Sequence, residues 1–271
     1  MDVPGFAIIT GAASGIGRAC ALGFAREGAA GLALFDLNLE GLTALKSEIE
    51  TLLSTKGAAN NCQIELRTVN VADESQVNTA VAEVAQTFGR LDYLVNAAGI
   101  AMKHPGGAAY VETRDWQRVM DINLTGSFFM LRAAARIMLK QEPIASSIDG
   151  RPLQRGSIVN FGSIQGVVGI SASTAYAVSK HGILGLTRTA SEDYAKDGIR
   201  INAVCPGYTL TPLTSQPAVL KVMEEKVASS VPMARMGNAS EIADGVLYLA
   251  GGRSSFVTGI PLCVDGGYTQ R

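Results

Sequence analysis

Phe6-Ala7-Ile8-Ile9-Thr10-Gly11-Ala12-Ala13-Ser14-Gly15-Ile16-Gly17-Arg18 decides the fold. The apolar run Phe6–Thr10 reads as a buried strand. The glycines behind it, Gly11, Gly15 and Gly17, let the chain turn tightly and bring its backbone N–H groups up to a ligand. The apolar-periodic segment from about Ile16 to Glu27 predicts a helix whose positive end faces that turn, a place for a pyrophosphate. Ser14 and Ile16 sit inside the turn. The spacing is G-x-x-x-G-x-G, not the G-x-G-x-x-G of the dinucleotide fingerprint. A glycine-rich strand-to-helix turn without a ligand is therefore the competing reading.

Gly31–Asp36 is a second apolar run and ends in an acid roughly 20 residues beyond Gly17, where a ribose-binding carboxylate is expected. A carboxylate there accepts both ribose hydroxyls and repels a 2′-phosphate. Leu37 and Asn38 follow it, and Ser14 precedes the second glycine, so neither place is basic. Both points favour NAD over NADP. The alternative role for Asp36 is a helix N-cap. Leu39, Leu42, Leu45, Ile49 and Leu52 recur at helical spacing. Ser54 to Asn61 reads as a loop and Ile64 to Val71 as a third strand. Asp73 is placed to cap a helix running to about Phe88. Leu91–Asn96 is a fourth strand. Alternating strands and helices predict an α/β domain of the Rossmann type, a doubly wound parallel sheet with helices on both faces.

A second stretch carries chemistry. Ser157–Phe161 reads as a buried strand and Ser163 stands just past its end. Tyr176 and Lys180 are four apart, on one face of a helix starting near Ser173. A hydroxyl, a phenol and an ammonium then meet at the carboxyl end of a strand. A phenol with its pKa near 10 is a poor base; a neighbouring ammonium lowers that value. Tyr176 would act as acid/base, Lys180 would tune it, and Ser163 would donate to the developing oxyanion. Taken alone, Tyr-x-x-x-Lys is also one turn of an ordinary surface helix.

Thr10-Gly-x-x-x-Gly-Ile-Gly17, Asn96-Ala97-Ala98-Gly99, Asn123, Ser163, Tyr176-x-x-x-Lys180 and Pro206-Gly207 occur in one order, with thirteen residues from Ser163 to Tyr176. In these pieces the chain resembles the short-chain dehydrogenase/reductase family, from about residue 5 to 268. The resemblance implies about seven parallel strands and reversible, nicotinamide-dependent oxidation of an alcohol. It implies that Asn123 holds a water linking Lys180 to solvent and that Lys180 also binds ribose. It assigns cofactor contacts to Asn70, Val71, Asn96, Ala97, Ala98 and Gly99, and to Pro206, Gly207, Thr209 and Thr211 near the nicotinamide. Ala97 stands where many members carry a second Asn. Asn70 stands where many carry Asp; its amide oxygen still accepts from an adenine amine. A buried Asn needs partners in any role, so Asn123 is also readable as structural.

The rest of the 271 residues frames this reading. Apolar residues make up 47%, charged residues 17%, and net charge is −1 with no basic block. That argues against nucleic acid and acidic membranes as partners. Cys20, Cys62, Cys205 and Cys263 are scattered with no C-x-x-C, which suits reduced cytoplasmic thiols and no metal; Cys20 and Cys205 read as core. The apolar start Phe6–Ile9 is too short for a signal or a span. Residues 1–271 read as one domain. His104 reads as a solvated loop residue, and Met102 and Lys103 as substrate-loop candidates. Thr113 reads as the start and cap of a helix that holds Asn123. Residues 141–155 read as a surface loop insertion away from the catalytic edge. His181, about 100° from Lys180 around the helix, reads as structural. The wide apolar stripe after Lys180, with the resemblance, implies a homodimer or homotetramer. Residues 208–237, with Pro212, Pro217 and Pro232, read as a substrate lid with apolar side chains at Leu210, Leu213, Val219, Met223 and Met233. The expected reaction is NAD-dependent interconversion of a secondary alcohol and a ketone on a medium-sized hydrophobic or cyclic metabolite. A terpenoid or polyketide alcohol of secondary metabolism fits, as does a steroid or fatty alcohol. The alternatives are an NADPH-dependent ketone reductase and a non-redox nucleotide-binding module or cyclase on the same fold.

Overall fold

The computed structural model describes residues 1–55, 62–212, 214, 215 and 217–270. Strand and helix alternate as β1 (Phe6–Thr10), α1 (Gly15–Arg26), β2 (Gly31–Asp36), α2 (Leu39–Thr55), β3 (Gln63–Thr68), α3 (Glu74–Phe88) and β4 (Tyr93–Asn96). Then come α4 (Thr113–Met120), α5 (Gly126–Met138), β5 (Gly156–Phe161), α6 (Thr174–Tyr194) and β6 (Ile199–Pro206). The last part holds β7 (Thr209–Leu210), α7 (Pro217–Ser230), β8 (Gly237–Asn238), α8 (Ala239–Ala250) and β9 (Pro261–Val264). Seven strands form one sheet in the order β3-β2-β1-β4-β5-β6-β9. Every pairing in it is parallel. The chain crosses from β3 on one side to β4 on the other, which makes the gap between the ends of β1 and β4 the switch point where ligands bind in such sheets.

The central strands read as unbroken apolar runs because both faces are buried. Ala7 and Ile9 of β1 enter one core with Leu32 and Leu34 of β2 and side chains of α1, α2 and α8. Ile8, Ala33 and Phe35 enter the opposite core with α3, α5 and α6. The two-residue period of the strand thus sorts one apolar segment into two layers. Among the described residues, no helix is long and apolar enough to cross a membrane.

Several expectations need correction. Glu112, not Thr113, occupies the N-cap of α4, and no side chain caps that helix. The helix is interrupted between α4 and α5 by a π-helical turn, Asp121–Thr125. The loop read as running from Ser54 begins no earlier than the end of α2 at Thr55, and 56–61 lie outside the described residues. The segment 141–155 is tied down. Ala145 pairs antiparallel with Pro152, and Ile144 and Gln154 are buried. The Asp2 carboxylate accepts from Ser146 Oγ at 2.7 Å and from Ser147 N at 2.8 Å. Gln141 donates to the Leu91 carbonyl. The segment therefore packs beside the amino ends of the strands, opposite the cavity. Of the expected lid 208–237, the described part holds α7 (Pro217–Ser230). Pro217 opens α7, where its missing N–H is no loss. Val227, Val231 and Met236 form a small core joined by Tyr208, Leu220, Met223 and Tyr268. Met223 reaches the cavity wall; Leu210 and Met233 are exposed. Leu213 and the side chain of Val219 lie outside the described residues.

Candidate active site

A cavity of about 690 Å³ runs along the carboxyl ends of the strands. At one end it is walled by the glycine-rich turn. A Cβ on Gly17 would lie 2.2 Å from the Gly11 carbonyl, and one on Gly11 would lie 2.9 Å from the Ala98 backbone. Only glycine permits this closeness, and it keeps the turn open to an approaching phosphate. Ser14, Gly15 and Ile16 line the same end. Asp36 faces the turn, one carboxylate oxygen accepting from Ala13 N at 3.0 Å and the other from Asn38 N at 3.0 Å. Each oxygen keeps a lone pair for a ribose hydroxyl. Leu37 beside it is exposed and apolar. Asn70, Val71, Ala97, Ala98 and Gly99 complete this wall; the Asn70 amide oxygen already accepts from Ala72 N at 3.1 Å. The cradle fits the adenosine and pyrophosphate of a dinucleotide.

Pro206, Gly207, Thr209 and Thr211 also line the cavity, and a Cβ on Gly15 would lie 3.5 Å from Thr211 Cβ, so this loop comes back against the glycine-rich turn. Thr214, which the sequence reading did not single out, fixes this loop: its hydroxyl donates to Thr209 O at 2.7 Å and accepts from Thr211 N at 2.9 Å. Ser163, Tyr176 and Lys180 line the same cavity. The Ser163 hydroxyl oxygen accepts from Gln165 N at 3.1 Å and lies within hydrogen-bonding reach of the Tyr176 phenol. Lys180 is 5% exposed. Its ammonium donates to the Phe161 carbonyl at 2.8 Å and sits 5.6 Å from the Tyr176 ring centroid.

Burial dominates the electrostatics of the pair. Burial holds Lys180 down at about 8. Burial also raises the Tyr176 phenol, and the Ser163 hydrogen bond offsets only part of that rise. Desolvation sets the direction for Tyr176, and the Ser163 contact favours its phenolate.

Two anticipated residues stand behind the wall instead of in it. The Asn96 amide donates to Asn160 Oδ1 at 2.9 Å and to the Ser127 carbonyl; it ties β4 to its neighbours and does not line the cavity. Asn123 is 1% exposed. Its side chain accepts from Ile100 N and donates to Ile100 O, both at 2.9 Å, and donates to Ser179 Oγ at 3.1 Å. The π-helical turn aims it inward, a common use of such bulges. A Cβ on Gly99 would touch both Asn123 Oδ1 and Lys180 Nζ. Asn123 thus packs against the Lys180 side of the site while pinning the loop after β4.

The substrate side differs from expectation at His104. It is 5% exposed, not solvated, because its backbone N–H bonds to Ala172 O at 2.8 Å and draws the loop under the cavity. Met102 and Lys103 line the cavity, and the Lys103 ammonium reaches Ser173 Oγ at 2.6 Å. His181 is exposed and bonds Ala177 O of its own helix. Among the described residues, no group of three His, Cys, Asp or Glu side chains could hold a metal.

A dinucleotide cradle at the switch point of a parallel sheet, opening on a serine, a tyrosine and a lysine, defines an oxidoreductase of the Rossmann type. A family model described as enoyl-(acyl carrier protein) reductase matches residues 11–269. A short-chain dehydrogenase (srdC) of Neurospora crassa is 36% identical over 273 residues, covering 99% of this chain and 98% of that protein. A cyclohexanol dehydrogenase of Acinetobacter sp. is 36% identical over 265 residues, covering 98% and 95%. A crystal structure from Sinorhizobium meliloti 1021, whose description names a short-chain alcohol dehydrogenase, superposes with a TM-score of 0.85 at 30% identity, covering 98% and 96%. The chain belongs to the short-chain dehydrogenase/reductase family.

Proposed function

We propose that this oxidoreductase is NAD-dependent and interconverts a secondary alcohol and a ketone on a medium-sized hydrophobic or cyclic substrate. The observation that carries the reading is the convergence of Ser163, Tyr176 and Lys180 on a wall facing both the glycine-rich turn and Asp36. The nicotinamide, when bound, supplies the hydride acceptor or donor. The Ser163 oxygen accepts from the Gln165 N–H, and its one proton, directed to the Tyr176 phenol without substrate, turns to the substrate oxygen when that binds. Tyr176 takes the hydroxyl proton in oxidation and returns it in reduction. Lys180 supplies positive charge beneath it. Asp36 with non-basic neighbours favours the unphosphorylated ribose. Met102, Ile164 and Met223 give the substrate end apolar surface. The relative named cyclohexanol dehydrogenase supports a cyclic alcohol. Exposed Phe128 on α5 and Val178 on α6 support self-association into a homodimer or homotetramer.

The test is parallel fluorescence titration with NADH and NADPH, followed by NAD-coupled oxidation of cyclohexanol. Tighter NADH binding with turnover supports the reading. Tighter NADPH binding transfers it to a ketone reductase. Binding of neither overturns it.

A further inference from the structure

β6 and β9 bring two of the cysteines face to face. Cys205 and Cys263 are register partners on adjacent parallel strands, and both are free thiols. Neighbouring strands lie about 4.8 Å apart, inside the roughly 4.4–6.8 Å Cα separation that a disulfide spans. Register partners also project to the same face of the sheet. Here the two side chains pack together with Leu184 and Ala203. The pair is unequal. Cys205 is fully buried, whereas Cys263 is partly exposed.

The pair also touches the site. A Cβ on Gly162 would lie 2.6 Å from Cys205 Sγ, so that sulfur rests on the backbone just before Ser163. The Ser163 backbone and Lys180 both lie close enough to act on the same sulfur electrostatically. The next residues along β6 are Pro206 and Gly207 of the cavity wall.

We propose that Cys205 and Cys263 are a dithiol modification site, which hydroperoxides oxidise to a cross-strand disulfide directly beneath the Ser163 wall. Cys263 is the attacking thiol. It is the more exposed, and the Cys205 S–H and the Thr269 hydroxyl lower its pKa, against burial and the nearby Asp265 charge. Its thiolate attacks one peroxide oxygen. The O–O bond breaks, an S–O bond forms, and the leaving oxygen takes up a proton as an alcohol or water. The Cys205 sulfur then attacks the sulfenic sulfur. The S–S bond forms, the S–O bond breaks, and hydroxide leaves with the Cys205 proton as water. Two thiols lose two electrons and the hydroperoxide gains them. The new bond turns the Cys205 sulfur toward β9 and away from the Ser163 backbone.

The experiment treats the full-length protein with tert-butyl hydroperoxide, blocks remaining thiols and maps the digest by mass spectrometry. The expected result is a linked peptide joining Cys205 to Cys263, with titratable thiols falling from four to two and recovering in dithiothreitol. Cys263→Ser and Cys205→Ser each abolish the linked peptide. NADH affinity, read by fluorescence, falls at least threefold in the oxidised wild type and recovers on reduction; it is unmoved by peroxide in Cys263→Ser. Absence of the linked peptide in the wild type, or oxidation confined to Cys62, overturns the proposal. A disulfide that leaves NADH affinity unchanged overturns its coupling to the site. Untreated protein that binds no NADH would sink the proposed function and leave the peptide result to decide the dithiol by itself.

Discussion

Lys180 gives its ammonium to the Phe161 carbonyl at 2.8 Å, so the side chain that the Tyr-x-x-x-Lys spacing puts forward to lower the Tyr176 pKa is anchored to the end of β5. The buried cation is held by a strand-end carbonyl dipole and stands 5.6 Å from the centroid of the phenol ring. Burial then raises Tyr176 and lowers Lys180, each toward its neutral form. Ser163 is the one side chain that pulls the phenol back down.

Ser163→Ala therefore tests which group tunes Tyr176. Removing its hydrogen bond leaves only the burial that raises the phenol, so the ascending limb of kcat against pH for cyclohexanol oxidation moves to higher pH. Turnover at pH 7 falls about 10²- to 10⁴-fold. Tyr176→Phe removes the limb altogether and leaves NADH binding within about threefold of wild type. An unchanged limb in Ser163→Ala would show that another group sets the phenol.

Lys180 trades stability for charge. Its pKa lies at about 8 in the fold, against the ordinary 10.5. Between those values the unfolded chain holds more protons than the folded one, so stability rises with pH across that window. Below about pH 8 the full penalty applies, on the order of 3 kcal/mol. Lys180→Met should raise the Tm at pH 7, with the gain shrinking toward pH 10, while turnover collapses. The lost bond to Phe161 O offsets part of the gain, by about 1 kcal/mol. Thermal melts of both proteins at the two pH values decide it; a lower Tm for the variant at pH 7 would mean that the ammonium stabilises the fold.

The sheet was legible because each strand is a short apolar run bounded by turn residues, and the helix caps are local. Asp73 caps α3 through Ser75 N and Gln76 N, and Asn238 with Glu241 forms a capping box on α8. What local pattern did not disclose depends on partners far along the chain. His104 is buried because it bonds Ala172. Residues 141–155 are ordered because Asp2 binds Ser146 and Ser147. α7 lies in the segment read only as a lid, and Pro217 starts that helix. The site shows the same division. Positions along the glycine-rich turn could be assigned from spacing, whereas Asn96 points into a core network with Asn160, a direction that spacing does not encode.

Asn123 is expected to act through structure as well as chemistry. Its side chain holds both backbone groups of Ile100 and reaches Ser179, all in a buried π-helical turn. Asn123→Ala leaves those groups without partners and should cost about 1–3 kcal/mol, measured by urea unfolding. Asn123→Asp restores the bond from Ile100 N but not the one to Ile100 O, so it recovers part of the stability. If Asn123→Ala unfolds like the wild type, the side chain is not the pin that the geometry describes.

Asp36 is the position at which cofactor choice can be reversed. Its two oxygens are held by Ala13 N and Asn38 N, so the carboxylate is fixed in direction and cannot swing away from a 2′-phosphate. The neighbouring Leu37 side chain is 67% exposed and offers a place for a cation without disturbing the core. Asp36→Ala should weaken NADH binding about tenfold, the loss of one charge-assisted hydrogen-bonding group. Asp36→Ala with Leu37→Arg should add affinity for NADPH by a comparable factor, since a guanidinium pairs with phosphate in bidentate fashion. Fluorescence titration of both nicotinamides against the three proteins reads the change directly. A double variant that still favours NADH by the wild-type ratio would place cofactor selection elsewhere in the cavity, with Arg118 as the next basic group on its wall.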